Sequence, residues 1–130
     1  ANHARIQGFA SQAAQLALRY CESELLKKVP AIAVLDATPT GTPGQWEDFG
    51  QWFPEGGAAQ TVPDAWLKTA DSSIADSQRP PQCLAEHSAL GGAAYIVTAR
   101  GFSPDYSEDA KGRTQTGSVV WLQSQLLLGS

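Results

Sequence analysis

The sequence predicts an α+β fold, with one long N-terminal helix packed on an antiparallel sheet of three to four strands from the C-terminal third. Three observations lead there. Residues 2–28 keep apolar side chains at the three-and-four spacing of a helix until Pro30 stops the run. The last third instead alternates at the two-residue period of a strand, in AAYIVTARGF (93–102) and SVVWLQSQLL (118–127). Between them, residues 36–79 are rich in turn formers and hold no second long periodic run. The 130 residues are read as one domain: helix 2–28, irregular crossover 36–79, antiparallel sheet 80–128.

The helix has two apolar stripes. Ile6, Phe9, Ala13, Leu16 with Ala17, and Tyr20 recur on one face, running on to Glu24. Ala10, Ala14, Leu18, Cys21 and Leu25 form a second stripe about 100° away. Glu24 precedes Lys28 by four residues, a favourable helix pair, and Lys27 and Lys28 suit the negative end of the helix dipole. At 1.5 Å per residue the element is roughly 40 Å long. With no second strong helix to follow it, the sheet takes one stripe, and the other is expected to be left over.

The crossover carries four large rings in WEDFGQWF: Trp46, Phe49, Trp52 and Phe53. Such rings fold back to cap a small core or present a binding surface, and capping is the preferred reading. One short helix is expected over Asp64–Ala70, with Pro63 at its start. In the last third, Gln82–His87 is a short strand bounded by Pro80-Pro81, and SPDYSEDAKGRTQTG is a polar loop between the two longer strands.

Thirteen acidic residues outnumber nine basic ones, for a net charge of −4, and no basic stripe is present. Nucleic acid is therefore not expected as a partner. The longest apolar runs fall far short of the ~20 residues that span a bilayer, and no signal peptide is visible. Cys21 and Cys83 lie too far apart for a CxxC, and neither His3 nor His87 stands at metal-ligand spacing from them, so no metal site is expected. On spacing alone the two cysteines suit either a disulfide in an exported protein or two buried thiols in a cytosolic one.

No catalytic constellation is legible. There is no GxSxG, neither histidine stands beside a nucleophile, and Glu22 and Glu24 face different ways on the helix. Asp105, Glu108 and Asp109 crowd carboxylates into a loop but lack the alternating ligands and glycine of an EF-hand, so they read as a solvated acidic loop. No cofactor is expected.

Two stretches carry a family resemblance. Phe9-Ala10-Ser11-Gln12-Ala13-Ala14-Gln15-Leu16-Ala17-Leu18-Arg19 resembles the soluble half of a type IV pilin helix. Pro80-Pro81-Gln82-Cys83-Leu84-Ala85-Glu86, Tyr95-Ile96-Val97-Thr98-Ala99-Arg100-Gly101 and Ser118-Val119-Val120-Trp121-Leu122-Gln123-Ser124 resemble the three closing strands of PilX-type minor pilins. The likeness covers residues 3–35 and 80–127, with nothing diagnostic between. It implies a pilin-like fold, and an apolar first half of the helix with a prepilin leader and membrane-anchored glutamate ahead of residue 1. It also implies a Cys21–Cys83 disulfide tying helix to first closing strand, unlike the usual pilin bridge nearer the C-terminus.

The resemblance further implies a non-catalytic minor pilin that helps to prime a type IV pilus, with effects on adhesion, aggregation or motility. Such a subunit is exported, held in the inner membrane with its domain in the periplasm, and then extracellular in the fibre. Its partners would be major and minor pilin subunits and a large tip adhesin. The stripe Ile6, Phe9, Ala13, Leu16 and Tyr20 would be the subunit interface. Trp46, Phe49, Trp52, Asp105 and Tyr106 would belong to partner-binding loops. Two other readings stand beside it: a minor pseudopilin of a type II secretion system, and a periplasmic binding module using the aromatic loop 46–53.

Overall fold

A computed structural model describes residues 2–27, 30–39, 41–53, 57–70, 79–89 and 94–127, with side chains given except at 2–7, 69 and 70. Helix α1 spans Asn2–Leu25. It is followed by strand β1 (Val34–Leu35), two 3-10 turns (Gln45–Glu47 and Phe49–Trp52), strand β2 (Gln60–Thr61) and helix α2 (Asp64–Ala70). The C-terminal third then forms β3 (Gln82–His87), β4 (Ala94–Phe102), a small hairpin of β5 (Ser107–Glu108) and β6 (Thr114–Thr116), and β7 (Val119–Leu127).

The fold is α+β, with one long helix on a mixed sheet. β3, β4 and β7 form an antiparallel meander, with Cys83 opposite Ala99 and Arg100 opposite Trp121. The expectation of a purely antiparallel sheet of three to four strands needs correcting. The far edge of β3 is shared by two short crossover strands, β1 pairing in parallel at Ala85 and Glu86, and β2 antiparallel at Gln82 and Cys83. Each is only two residues long, too short to leave a period in the sequence. The 36–79 segment is thus less irregular than expected, holding β2 and both turns beside the expected short helix α2.

Alanines and one glycine let α1 lie close against the sheet. A Cβ on Gly101 would stand 2.2 Å from the Ala10 carbonyl oxygen and 2.4 Å from the Ala14 nitrogen, so β4 touches helix backbone there. Farther along, Cys21 bonds Cys83, with 6.2 Å between their Cα atoms and 62 residues of chain separation. The helix ends at Leu25, earlier than the expected 28. Glu24 there accepts hydrogen bonds from Lys27 Nζ at 2.5 Å and from the Ala31 backbone at 2.9 Å, turning the chain towards β1. Lys28, its expected partner, lies outside the described residues.

Among the described side chains neither apolar stripe is left over. Ala13, Leu16 and Tyr20 are only 2%, 3% and 8% exposed and belong to this chain's own core, and Phe9 packs against it half-buried. The Ile6 side chain lies outside the description. The expected free interface is therefore corrected: the stripe shares one core cluster with the sheet residues Ala85, Val97 and Ala99, and short helix α2 adds cover at its Tyr20 end. Trp66 meets Tyr20 edge-on at 5.3 Å, and Leu67 joins Val62 and Ile32 in the core cluster. What α1 exposes instead is a polar line of Gln12, Gln15 and Arg19.

Candidate functional site

β4 departs from its expected half-buried alternation, being buried on both faces from Val97 to Phe102. Val97 and Ala99 face the helix core. Thr98, Arg100 and Phe102 point the other way, since successive strand residues alternate. There they are covered by the aromatic crossover.

The Glu86 carboxylate anchors that cover. From the same sheet face it accepts the backbone N–H of Gln45 at 2.9 Å and of Trp46 at 3.3 Å, capping the first 3-10 turn. Trp52 then enters the interior fully buried, donates Nε1–H to the Trp46 carbonyl at 3.0 Å, and meets Trp121 edge-on at 5.0 Å. Capping is thus the role of Trp52. Phe49 and Phe53, stacked edge to face at 5.6 Å, keep about 40% of their surface exposed.

Arg100 is the least expected member of this layer. In sequence it occupies an outward position of an amphipathic strand, yet it is only 2% exposed. Its guanidinium carbon lies 5.6 Å from the Phe49 ring centre, 5.1 Å from Trp52, 4.9 Å from Phe102 and 5.4 Å from Trp121. Nε donates to Gln82 Oε1 at 2.9 Å, and Nη2 donates to the same oxygen at 2.6 Å and to the Trp52 carbonyl at 3.3 Å. Burial, with the nearby Arg79 charge, pulls its pKa down to about 10, which leaves it cationic at neutral pH. The sequence offers no signal for this pairing. Gln82 directly follows Pro80-Pro81, a pattern that marks the start of a strand and says nothing of an arginine across it.

In front of Arg100 lies a pocket of about 550 Å³. One wall is the second 3-10 turn with Phe49 and Phe53, another is the tip of the β5–β6 hairpin, and Trp121 stands where β7 passes. The hairpin tip is held by Asp109, whose Oδ1 accepts the N–H groups of Lys111 at 2.8 Å and Arg113 at 2.9 Å. Gly112 packs under Phe49 with φ of 82°, a left-handed conformation where a Cβ would stand 2.7 Å from that ring. The turn brings Lys111 and Arg113 to the pocket rim, and none of the described lining residues is acidic.

The expected partner-binding residues therefore divide. Phe49 and Tyr106 line this pocket, although Tyr106 is itself buried, its ring 4.5 Å from Phe102. Trp46 lines smaller neighbouring hollows, and Trp52 is wholly internal, which removes it as a contact residue. Asp105 is exposed but accepts the Ser103 hydroxyl at 2.6 Å, away from the lining. The acidic loop is not a cluster of free carboxylates, since Glu108 pairs with Arg79 and Asp109 holds its own turn. Among the described residues no group of three or more His, Cys, Asp or Glu side chains gathers as metal ligands.

Comparison with known proteins finds no family model that matches the chain, and no curated protein or solved structure that does.

Proposed function

We propose that the chain is a non-catalytic minor pilin subunit of the PilX type, acting in the priming of a type IV pilus. In this reading it is exported, held in the inner membrane before assembly, and extracellular in the fibre, with effects on adhesion, aggregation or motility. Its partners are major and minor pilin subunits and a large tip adhesin. The observation that carries the reading is the packing order: a 24-residue opening helix laid along a meander built from the closing third of the chain. The buried Cys21–Cys83 bridge supports export, because such bonds persist in oxidising compartments.

With both apolar stripes covered, the subunit contacts move elsewhere. The exposed helix line Gln12, Gln15 and Arg19 is one surface. The other is β7, which pairs only with β4 among the described strands, carries no charge in VVWLQSQLL, and ends with Leu127 75% exposed. A long uncharged edge of this kind suits strand or sheet contact with a neighbouring subunit.

The test is recovery of the tagged chain from pili sheared off the encoding bacterium. Wild type is expected in the fibre fraction. Gln12→Glu with Arg19→Glu is expected to keep its melting temperature and to be depleted from the fibres. A wild-type chain that never enters fibres and binds no sister pilin overturns the reading.

A second reading has its own observation. The aromatic pocket before Arg100 favours a small-ligand binding module, which a fibre subunit could also carry.

A further inference from the structure

Arg100 holds a charge that no carboxylate among the described residues matches. Among the described residues the ion pairs are Lys27–Glu24 and Arg79–Glu108, and no carboxylate reaches the Arg100 guanidinium. Its Nε and Nη2 are satisfied by neutral oxygens, while Nη1 has no hydrogen-bond partner. No buried side-chain nitrogen or oxygen among the described residues lacks a partner. Nη1 is therefore not sealed off, and the space bordering this side chain is the pocket that it lines. Four rings around the guanidinium offset part of the cost of taking a cation out of water, but they supply no counter-charge.

The rest of the pocket repeats the pattern. Lys111 and Arg113 add two cations at the rim, with no acid among the described lining residues, in a chain whose net charge is −4. A concave site lined by one sign of charge with low-dielectric walls concentrates ions of the opposite sign. The walls are Phe49, Phe53 and Trp121, whose faces suit a stacking ring, and 550 Å³ is the size of a small-molecule site. A strongly hydrated dianion would lose much of its water against these rings, whereas a carboxylate presents one charge and two acceptor oxygens to a guanidinium.

We propose that this pocket binds a carboxylate carried on a ring-sized body with a face that stacks on aromatic side chains. The carboxylate accepts from Arg100 Nη1 at the inner end, and the ring lies against Phe49 and Trp121. The body is either a sugar ring, as in a uronic-acid residue of an acidic glycan, or an aromatic ring. The proposal is independent of the pilin reading, since the isolated chain should bind.

The experiment is calorimetric titration of the disulfide-bonded chain with glucuronate and with phenylacetate, each beside its neutral counterpart, glucose and phenylacetamide. At least one acid should bind saturably and at least about tenfold tighter than its neutral match, the loss expected when a charged hydrogen bond is removed. Saturation by glucuronate alone assigns the sugar body, and by phenylacetate alone the aromatic one. Arg100→Gln should weaken the acid about tenfold or more. Because that side chain is internal, the exposed pair Lys111→Gln with Arg113→Gln is measured too. It should keep the melting temperature and weaken the acid severalfold without affecting the neutral compound. Binding by neither acid, equal binding of acid and neutral match, or acid binding unchanged in both variants overturns the proposal.

Discussion

Gly101 of β4 lies directly beneath Ala10 of α1, with room between them for a hydrogen but not for a methyl group. The obstructing atoms are helix backbone, which no rotamer change can move aside. Gly101→Ala must therefore lift the helix off the sheet or bend the strand, and overpacking of this kind costs about 1–3 kcal/mol. Gly8, nearer the start of the same helix, has nothing within 4 Å of an added Cβ. Gly8→Ala should instead stabilise by about 1 kcal/mol through helix propensity. Urea unfolding of the two variants should move the midpoint in opposite directions, and a midpoint unmoved in Gly101→Ala would show that the helix does not sit this close.

The Cys21–Cys83 bond closes a 62-residue separation between two fully buried side chains. The chain-entropy treatment gives about 4 kcal/mol for a loop of that size, a large share of the ~5–15 kcal/mol of an ordinary domain. Cys21→Ser is expected to lower the melting temperature about as much as reduction of the wild type does. Reduction should then do nothing further to the variant. A reductant that leaves the wild-type melting temperature in place would contradict this.

The long elements are legible in the sequence because their periods outlast noise: the 24-residue α1, and the nine-residue β4 and β7, although only β7 keeps alternating exposure in the fold. Gln82–His87 and Asp64–Ala70 stand out through the prolines before them. The covering of α1 is not legible. A stripe of Phe9, Ala13, Leu16 and Tyr20 shows that something apolar must lie over it, but nothing in the spacing says whether another chain or the sheet with the distant Trp66 supplies the cover. The pocket is half legible. Its rings can be named, but Arg100, Lys111 and Arg113 come from separate places whose meeting depends on strand register and a hairpin turn.

Glu24 should make the fold acid-sensitive. Its carboxyl is held below the usual range by the hydrogen bond from Lys27 first and the Ala31 N–H second, against an opposing effect of burial. A carboxyl with a depressed folded pKa contributes stability that is present above its unfolded pKa and lost as pH falls through the folded one. Melting temperature should therefore drop as pH is lowered below the ordinary glutamate range, and the gap between wild type and Glu24→Gln should narrow over the same interval. A gap that stays constant from neutral pH down to that region would mean that the variant acts by some route other than this charge.

Glu86 ties the aromatic layer to the sheet, and its loss should be seen in that layer before the helix side feels it. Its two oxygens accept the Gln45 and Trp46 N–H groups from a side chain only 2% exposed. Glu86→Ala leaves both donors without that acceptor, a loss of about 1–3 kcal/mol for each group stranded away from water. The first 3-10 turn would then detach, and with it the Trp46 carbonyl that receives Trp52 Nε1–H. Trp52 is the buried ring on which Arg100 and Trp121 both pack, so its indole should shift to the red and become open to acrylamide quenching. The Cys21–Cys83 bond and the core around Val97 lie on the other face and should keep their far-ultraviolet helix signal. If quenching stays at the wild-type level while helix signal is lost, the crossover is not held by this carboxylate, and the two faces of the sheet do not fail separately.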